Sequence, residues 1–229
     1  MRYYPILLDI KDRSCLVVGG GRVGTRKVGT LLKCGARVTV VSREFTDHLF
    51  SLNTDGKIAL RRGGYESADL DGMFMVIGAT DDMILNQKIH DDAEQRNMLC
   101  NIADKPDVCN FILPSIVHRG DLILAISTSG KSPAFAKSLR KRLGKQFGEE
   151  YDVFLTLMGK IREKLLGQAH EPEAHKPLFE ALIDGGMLEL IGAGDTAGID
   201  GLLARVLGGE YRFNDLMNPL TVSGFPDKQ

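Results

Sequence analysis

One hexapeptide constrains this chain more than any other feature. Gly19-Gly20-Gly21-Arg22-Val23-Gly24 fits the pattern GxGxxG, follows the apolar run 15–18, and precedes apolar residues at helical spacing, Val23, Val28, Leu31 and Leu32. The order reads strand, glycine turn, helix. Gly35 stops the helix, and the β-branched stretch 37–41 supplies a second strand, completing a βαβ unit. Short strands over 58–60, 74–77 and 98–102, with a helix over 86–96, continue the alternation. The expected fold class is therefore α/β, a Rossmann-type doubly wound parallel sheet.

A glycine turn in this setting has a chemical use. Its first glycine allows a tight turn, its middle one lets the backbone approach a pyrophosphate, and its last lets the helix pack closely, while the helix N-terminus offers N–H groups and a positive dipole end. Gly19, Gly20, Gly21, Arg22, Val23 and Gly24 are thus candidate dinucleotide-binding residues; the plain alternative is a structural turn. Glu44, twenty positions beyond Gly24 at the end of the second strand, sits where an acid accepts from a ribose 2′-hydroxyl, which favours NAD. Arg43 beside it suits a 2′-phosphate, so NADP stays open. Thr80, in Gly78-Ala79-Thr80-Asp81 after a later strand, is a further cofactor candidate at the carboxyl edge of the sheet. Thr80 or Asp81 is also read as the N-cap of the following helix.

Two more segments carry chemistry. Asp104 ends Asn101-Ile102-Ala103-Asp104 at a strand's carboxyl end, and a carboxylate of ordinary pKa, about 3.9, accepts a proton at neutral pH. It is a candidate general base, with a local N–H cap as the alternative. Ser127-Thr128-Ser129-Gly130-Lys131-Ser132-Pro133 follows a strand over 121–126 and opens a helix through about residue 147, with Ser132 as N-cap and Pro133 at the first helical position. Hydroxyls, a glycine and a helix N-terminus form an anion-binding surface. The following helix carries Lys137, Arg140, Lys141, Arg142 and Lys145, which either extend that surface or, for Arg140 to Lys145 in particular, form a solvated helix face.

Composition excludes several classes. With 29 Lys+Arg against 30 Asp+Glu there is no global pull toward nucleic acid or an anionic membrane. No apolar window approaches a membrane span, and charges at Asp9, Lys11, Asp12 and Arg13 interrupt the N-terminal apolar stretch before a signal-peptide core forms, so a cytoplasmic location is expected. Cys15, Cys34, Cys100 and Cys109 lack ligand spacing and read as buried reduced thiols. The five histidines show no paired spacing, so no permanent metal site is expected; His118 alone is a candidate for a transient metal or proton role. After residue 150 only helical periodicity remains, broken near 171–172, 185–186 and 192–194. The expected division is a Rossmann domain over 1–112, a dimerisation and substrate segment over 113–149, a helical domain over 150–220 and a loose tail over 221–229.

Taken together, Tyr4-Pro5-Ile6, the run 15–27, the run 35–41, Gly78-Ala-Thr-Asp-Asp, Asn101-Ile-Ala-Asp104, Phe111-Ile-Leu-Pro-Ser and the stretch through Ser132-Pro133-Ala134 resemble the siroheme-synthase N-terminal type, the precorrin-2 dehydrogenases and sirohydrochlorin ferrochelatases. The resemblance is specific over residues 1–147 and weak to about 213. It implies NAD-dependent oxidation of precorrin-2 to sirohydrochlorin, with Fe²⁺ insertion in bifunctional members. It also implies Asp104 as the catalytic aspartate, a tetrapyrrole held by Asn101, Ser127, Thr128, Ser129, Gly130, Lys131 and Ser132, and a homodimer. Ser42-Arg43 stands where Ala-Pro is common before the acid, Gly24 where Ala is common, and Ser129 where Gly is common. No methyltransferase half follows residue 229, so a separate uroporphyrinogen methyltransferase is expected upstream. A competing class is an NAD(H)-sensing regulatory domain without catalysis; a base at the nicotinamide edge discriminates against it.

Overall fold

The computed structural model describes residues 3–103, 105, 109–168 and 172–218, the side chains of 172–174 excepted. The chain divides into two compact units, Met1–Leu113 and Pro114–Gln229. The first unit is a five-stranded parallel sheet in the order β3-β2-β1-β4-β5. Its strands are β1 (Ser14–Gly20), β2 (Arg37–Phe45), β3 (Ile58–Arg62), β4 (Met75–Gly78) and β5 (Leu99–Ile102), joined through helices α1 (Arg22–Lys33), α2 (Asp47–Thr54) and α3 (Met83–Gln95).

The central strands read as continuous apolar runs because both faces are covered, and the two-residue period sorts their side chains into two cores. Cys15, Val17, Val38, Val40, Met75 and Ile77 pack with Val28 and Leu31 of α1. Leu16, Val18, Val41, Val76 and Cys100 pack with Ile89 and Ala93 of α3. Crossover helices on opposite faces leave the carboxyl ends of β1, β2, β4 and β5 along one edge, where open α/β sheets bind ligands.

The α/β fold class is as expected, with differences at its boundaries. β2 runs on to Phe45, so Ser42, Arg43 and Glu44 lie within the strand. The short helix α2 is not signalled by the pattern; only Leu49 of it is buried. α3 starts at Met83 because Asp82, and neither Thr80 nor Asp81, caps it: the Asp82 carboxylate accepts from Ile84 N at 2.9 Å and Leu85 N at 3.0 Å. Cys15, Cys100 and Cys109 are buried thiols, but Cys34 is exposed, because it lies past the last turn of α1 as its C-cap.

The second unit begins with an antiparallel hairpin, β6 (Ser115–Arg119) and β7 (Leu122–Ile126), turned at Gly120 with φ +54°. β6 escapes the sequence reading because its five residues include His118 and Arg119 behind a proline. Helices α4 (Pro133–Gln146), α5 (Glu150–Gly167), α6 (Pro172–Asp184), α7 (Met187–Ala193), α8 (Thr196–Leu207) and α9 (Phe213–Met217) follow. Leu157, Ile161 and Leu165 recur along one face of α5 and pack with Leu182, Met187, Ile199, Leu202, Leu203 and Tyr211 in a separate core. No helix among the described residues is long and apolar enough to cross a membrane.

Candidate cofactor site and sheet-edge residues

The glycine loop is built by close backbone approach. Gly19 has φ +116°, and a Cβ there would collide with the carbonyl of Ala79 on the turn after β4. Ala79 N in turn donates to Val18 O at 2.7 Å, so β1 and the β4 turn are locked together at this point. Gly24 is buried, and a Cβ on it would collide with Gly19 O, which brings α1 down onto the end of β1. Gly21 differs. It is the N-cap of α1 with an ordinary φ of −80°, it supplies no side-chain cap, and a Cβ on it would meet nothing within 4 Å. Open space therefore lies above uncapped helix N–H groups, the arrangement a pyrophosphate requires. Arg22 is exposed and Val23 partly buried beside it.

Neighbouring elements brace the loop. Thr46 N donates to Gly20 O at 3.1 Å, and the hydroxyls of Thr25 and Thr46 are 2.9 Å apart, tying the first turn of α1 to the end of β2. Gly20 pairs with Phe45 across β1 and β2, and a Cβ on Gly20 would strike Glu44 O. Arg43 and Glu44 are both exposed at this strand end. Thr80, on the adjacent turn, is partly buried; its hydroxyl donates to Asn86 Oδ1 at 2.8 Å. The sheet edge thus brings Gly19–Gly24, Arg43, Glu44 and Thr80 to the carboxyl ends of three neighbouring strands, β2, β1 and β4. Asn86, Thr25 and Thr46 are additional supports; their signal in sequence is only a polar residue near a turn.

At β5, Asn101 is buried, and its amide donates to Phe111 O at 3.1 Å and lies 3.7 Å from Cys109 Sγ. It fastens the strand end to the returning chain. Asp104 lies outside the described residues. Around it, Ala103 N donates to Gly78 O at 2.8 Å and Lys105 N to Ile102 O at 3.3 Å. Cys109 Sγ accepts from Ile102 N at 3.1 Å.

A polar cluster joins the chain after β3 to α3. Asp92 accepts from Ser67 Oγ at 2.6 Å and Tyr65 Oη at 2.9 Å. Burial raises the Asp92 pKa, but the Ser67 and Tyr65 hydrogen bonds together with Lys88 and Arg96 outweigh that, leaving it below its ordinary value. Burial, then the Asp92 hydrogen bond, pushes the Tyr65 phenol well up.

In the second unit, the loop before α4 folds on its own hydroxyls. Ser127 Oγ accepts from Ser129 N, and Thr128 Oγ1 from Ser132 N, each at 3.1 Å, while Ser132 Oγ caps α4 through Phe135 N at 3.2 Å. Ser129 takes φ +52° and Gly130 φ +82°; a serine bears strain in that region that a glycine would not. Each hydroxyl that accepts a backbone bond keeps its own O–H to donate outward. Lys131 is exposed beside them, as are Lys137, Lys141, Arg142 and Lys145 of α4, with Arg140 half-buried. His118 is exposed on β6, and the described residues hold no cluster of three or more metal-ligating side chains.

Residues 6–115 match the family described as putative NAD(P)-binding, and residues 119–146 match the sirohaem biosynthesis protein central family. A siroheme synthase of Nitrosospira multiformis is 35% identical over 214 residues, 92% of this chain and 45% of that protein. One from Thioalkalivibrio sulfidiphilus is 37% identical over 194 residues, 85% of this chain and 40% of its own length. The chain spans less than half the length of these relatives. The solved structure of SirC, precorrin-2 dehydrogenase, superposes with a TM-score of 0.76 at 27% identity, covering 89% of this chain and 98% of that one.

Proposed function

Because the chain belongs to the sirohaem-biosynthesis family with an NAD(P)-binding domain, we propose that it oxidises precorrin-2 to sirohydrochlorin with NAD as acceptor. The observation that carries this reading is the unfilled space over Gly21, bounded by backbone that admits no larger residue at Gly19 or Gly24. Those residues fit a dinucleotide; the nicotinamide, when bound, accepts a hydride. The N–H groups opening α1, with Gly20, Arg22 and Val23 around them, would hold its pyrophosphate. Glu44, with Arg43 beside it, would accept from the adenosine ribose, and Thr80 would hold the nicotinamide half.

Oxidation removes two hydrogens from the substrate, one as hydride and one as a proton, and the products are sirohydrochlorin, the reduced cofactor and H⁺. Asp104 is assigned the proton. A carboxylate at that position would accept it as a general base. Asn101 contributes by holding the chain on either side of that position through Phe111. Precorrin-2 is a polycarboxylate, and its carboxylates are the ligands we assign to Ser127, Thr128, Ser129, Gly130, Lys131 and Ser132, whose outward O–H groups and ammonium suit anions.

Fe²⁺ insertion into sirohydrochlorin also releases protons, from pyrrole nitrogens, and the same carboxylate serves that step; the iron is substrate. A homodimer is supported by the hairpin face on which Ile116 and Ile123 stay 43% and 41% exposed, since a two-stranded sheet with an apolar outer face gains from being covered. The methylated substrate is supplied by a uroporphyrinogen methyltransferase, and cytoplasmic residence goes with this pathway.

The test is spectroscopic. Protein mixed with enzymatically made precorrin-2 and NAD yields the sirohydrochlorin spectrum, more slowly with NADP, and Asp104→Ala lowers turnover about 10²–10⁴-fold while NADH still binds. No spectral change with either cofactor removes the dehydrogenase; undiminished turnover in the variant removes Asp104 from the reaction.

A further inference from the structure

We infer that Asn86 is a positioning residue of the cofactor cradle, holding the turn after β4 against the glycine loop through paired hydrogen bonds to Thr80. Asn86 lies in the first turns of α3 and is 3% exposed. A polar side chain buried to that degree must be satisfied inside the protein, and a single residue satisfies it. Its Nδ2 donates to Thr80 O at 2.9 Å, and its Oδ1 accepts from Thr80 Oγ1 at 2.8 Å. The two bonds fix both the carbonyl and the side-chain rotamer of Thr80, and exchanging the amide O and N would set oxygen against oxygen.

The helix does not require this asparagine. Asp82 already accepts from two N–H groups at the start of α3, and no hydrogen bond of the Asn86 side chain goes to a helix N–H. Its amide instead faces the sheet edge, where a Cβ on Gly78 would press on its oxygen. From Thr80 the contact continues through Ala79, whose N–H binds Val18 O and whose carbonyl abuts Gly19. Asn86 therefore sets the height of the wall against which the first glycine of the loop is packed. With its proton committed to Asn86, and Asp82 O a longer alternative at 3.3 Å, the Thr80 oxygen presents lone pairs to a donor such as a ribose hydroxyl or a carboxamide N–H.

This inference rests on the cofactor reading, and one titration separates the two. NADH is titrated by its own fluorescence into wild type, Asn86→Asp, Thr80→Val and the double variant, with the melting temperature of each measured without and with NADH. Asn86→Asp keeps the shape and loses the donor. It is expected to weaken NADH binding by about tenfold or more, with a shrunken NADH-induced shift in Tm and a cooperative ligand-free transition. Thr80→Val weakens binding comparably, and the double variant is no weaker than the worse single, because both break one linkage. A folded Asn86→Asp with wild-type affinity, or single effects that multiply in the double variant, overturns the inference. Should Asn86→Asp not fold, Thr80→Val at wild-type affinity overturns it equally. Wild type that binds neither NADH nor NADPH instead overturns the cofactor reading on which it rests.

Discussion

Two glycines two positions apart are required for different reasons, and replacing each with alanine separates them. At Gly19 the backbone has φ +116° and the added methyl meets the Ala79 carbonyl, part of a turn held to β1 by Ala79 N and Val18 O at 2.7 Å. The strained conformation costs about 1–3 kcal/mol for a residue with a Cβ. Forcing apart packed backbone adds about 1–3 kcal/mol. The total, about 2–6 kcal/mol, is a large fraction of the roughly 5–15 kcal/mol that holds a domain folded. At roughly 4 °C per kcal/mol, Gly19→Ala lowers the melting temperature by at least about 8 °C. At Gly21 φ is −80° and the methyl enters empty space. Gly21→Ala therefore changes stability little: about 0.4–1 kcal/mol gained through the unfolded chain is offset by the poorer N-cap that alanine makes. In the proposed binding mode that methyl would enter the space assigned to the pyrophosphate beside the N–H groups opening α1. Losing one or two charge-assisted hydrogen bonds, each about 1.5–3 kcal/mol, weakens NADH by at least about tenfold. Thermal melts followed by circular dichroism and NADH fluorescence titrations measure both quantities on the same samples. Gly21→Ala with wild-type NADH affinity would show that the open space is not the pyrophosphate's, and Gly19→Ala with an unchanged melting temperature would refute the collision.

Two further expectations concern protons and thiols. Asp92 has a folded pKa below its ordinary 3.8, so its stabilising contribution is complete above that value and disappears as pH falls through the lower folded one. Acid unfolding should be less steep below pH 3.8 in Asp92→Asn, which is also less stable at neutral pH; identical acid limbs would show the Ser67–Tyr65–Asp92 cluster to be unimportant. Burial pushes the Cys15 thiol up to about 11 and Cys100 to about 12, whereas Cys34 is exposed. A maleimide at mild alkaline pH should label Cys34 rapidly and the buried pair only on unfolding, as mass spectrometry of proteolytic fragments would reveal; fast labelling of Cys15 would contradict its packing in the sheet.

The linear order of residues decided the parallel sheet and marked the glycine turn as the candidate dinucleotide site. Periodicity two in the strands, periodicity three to four in α1 and the glycines between them are local, and only one covered sheet accommodates them. Ser132 as the cap of α4 was equally legible, since capping spans only a few residues. What stayed hidden depends on residues distant in the chain. β6 forms because Val117 finds Leu124 opposite it, and the true cap of α3 is Asp82 because the chain leaving β4 must first pass Gly19. Why Asn86 is polar cannot be known from its neighbours on the helix. Burial against Thr80 and Gly78 gives the reason, and burial is a property of the folded tertiary packing alone.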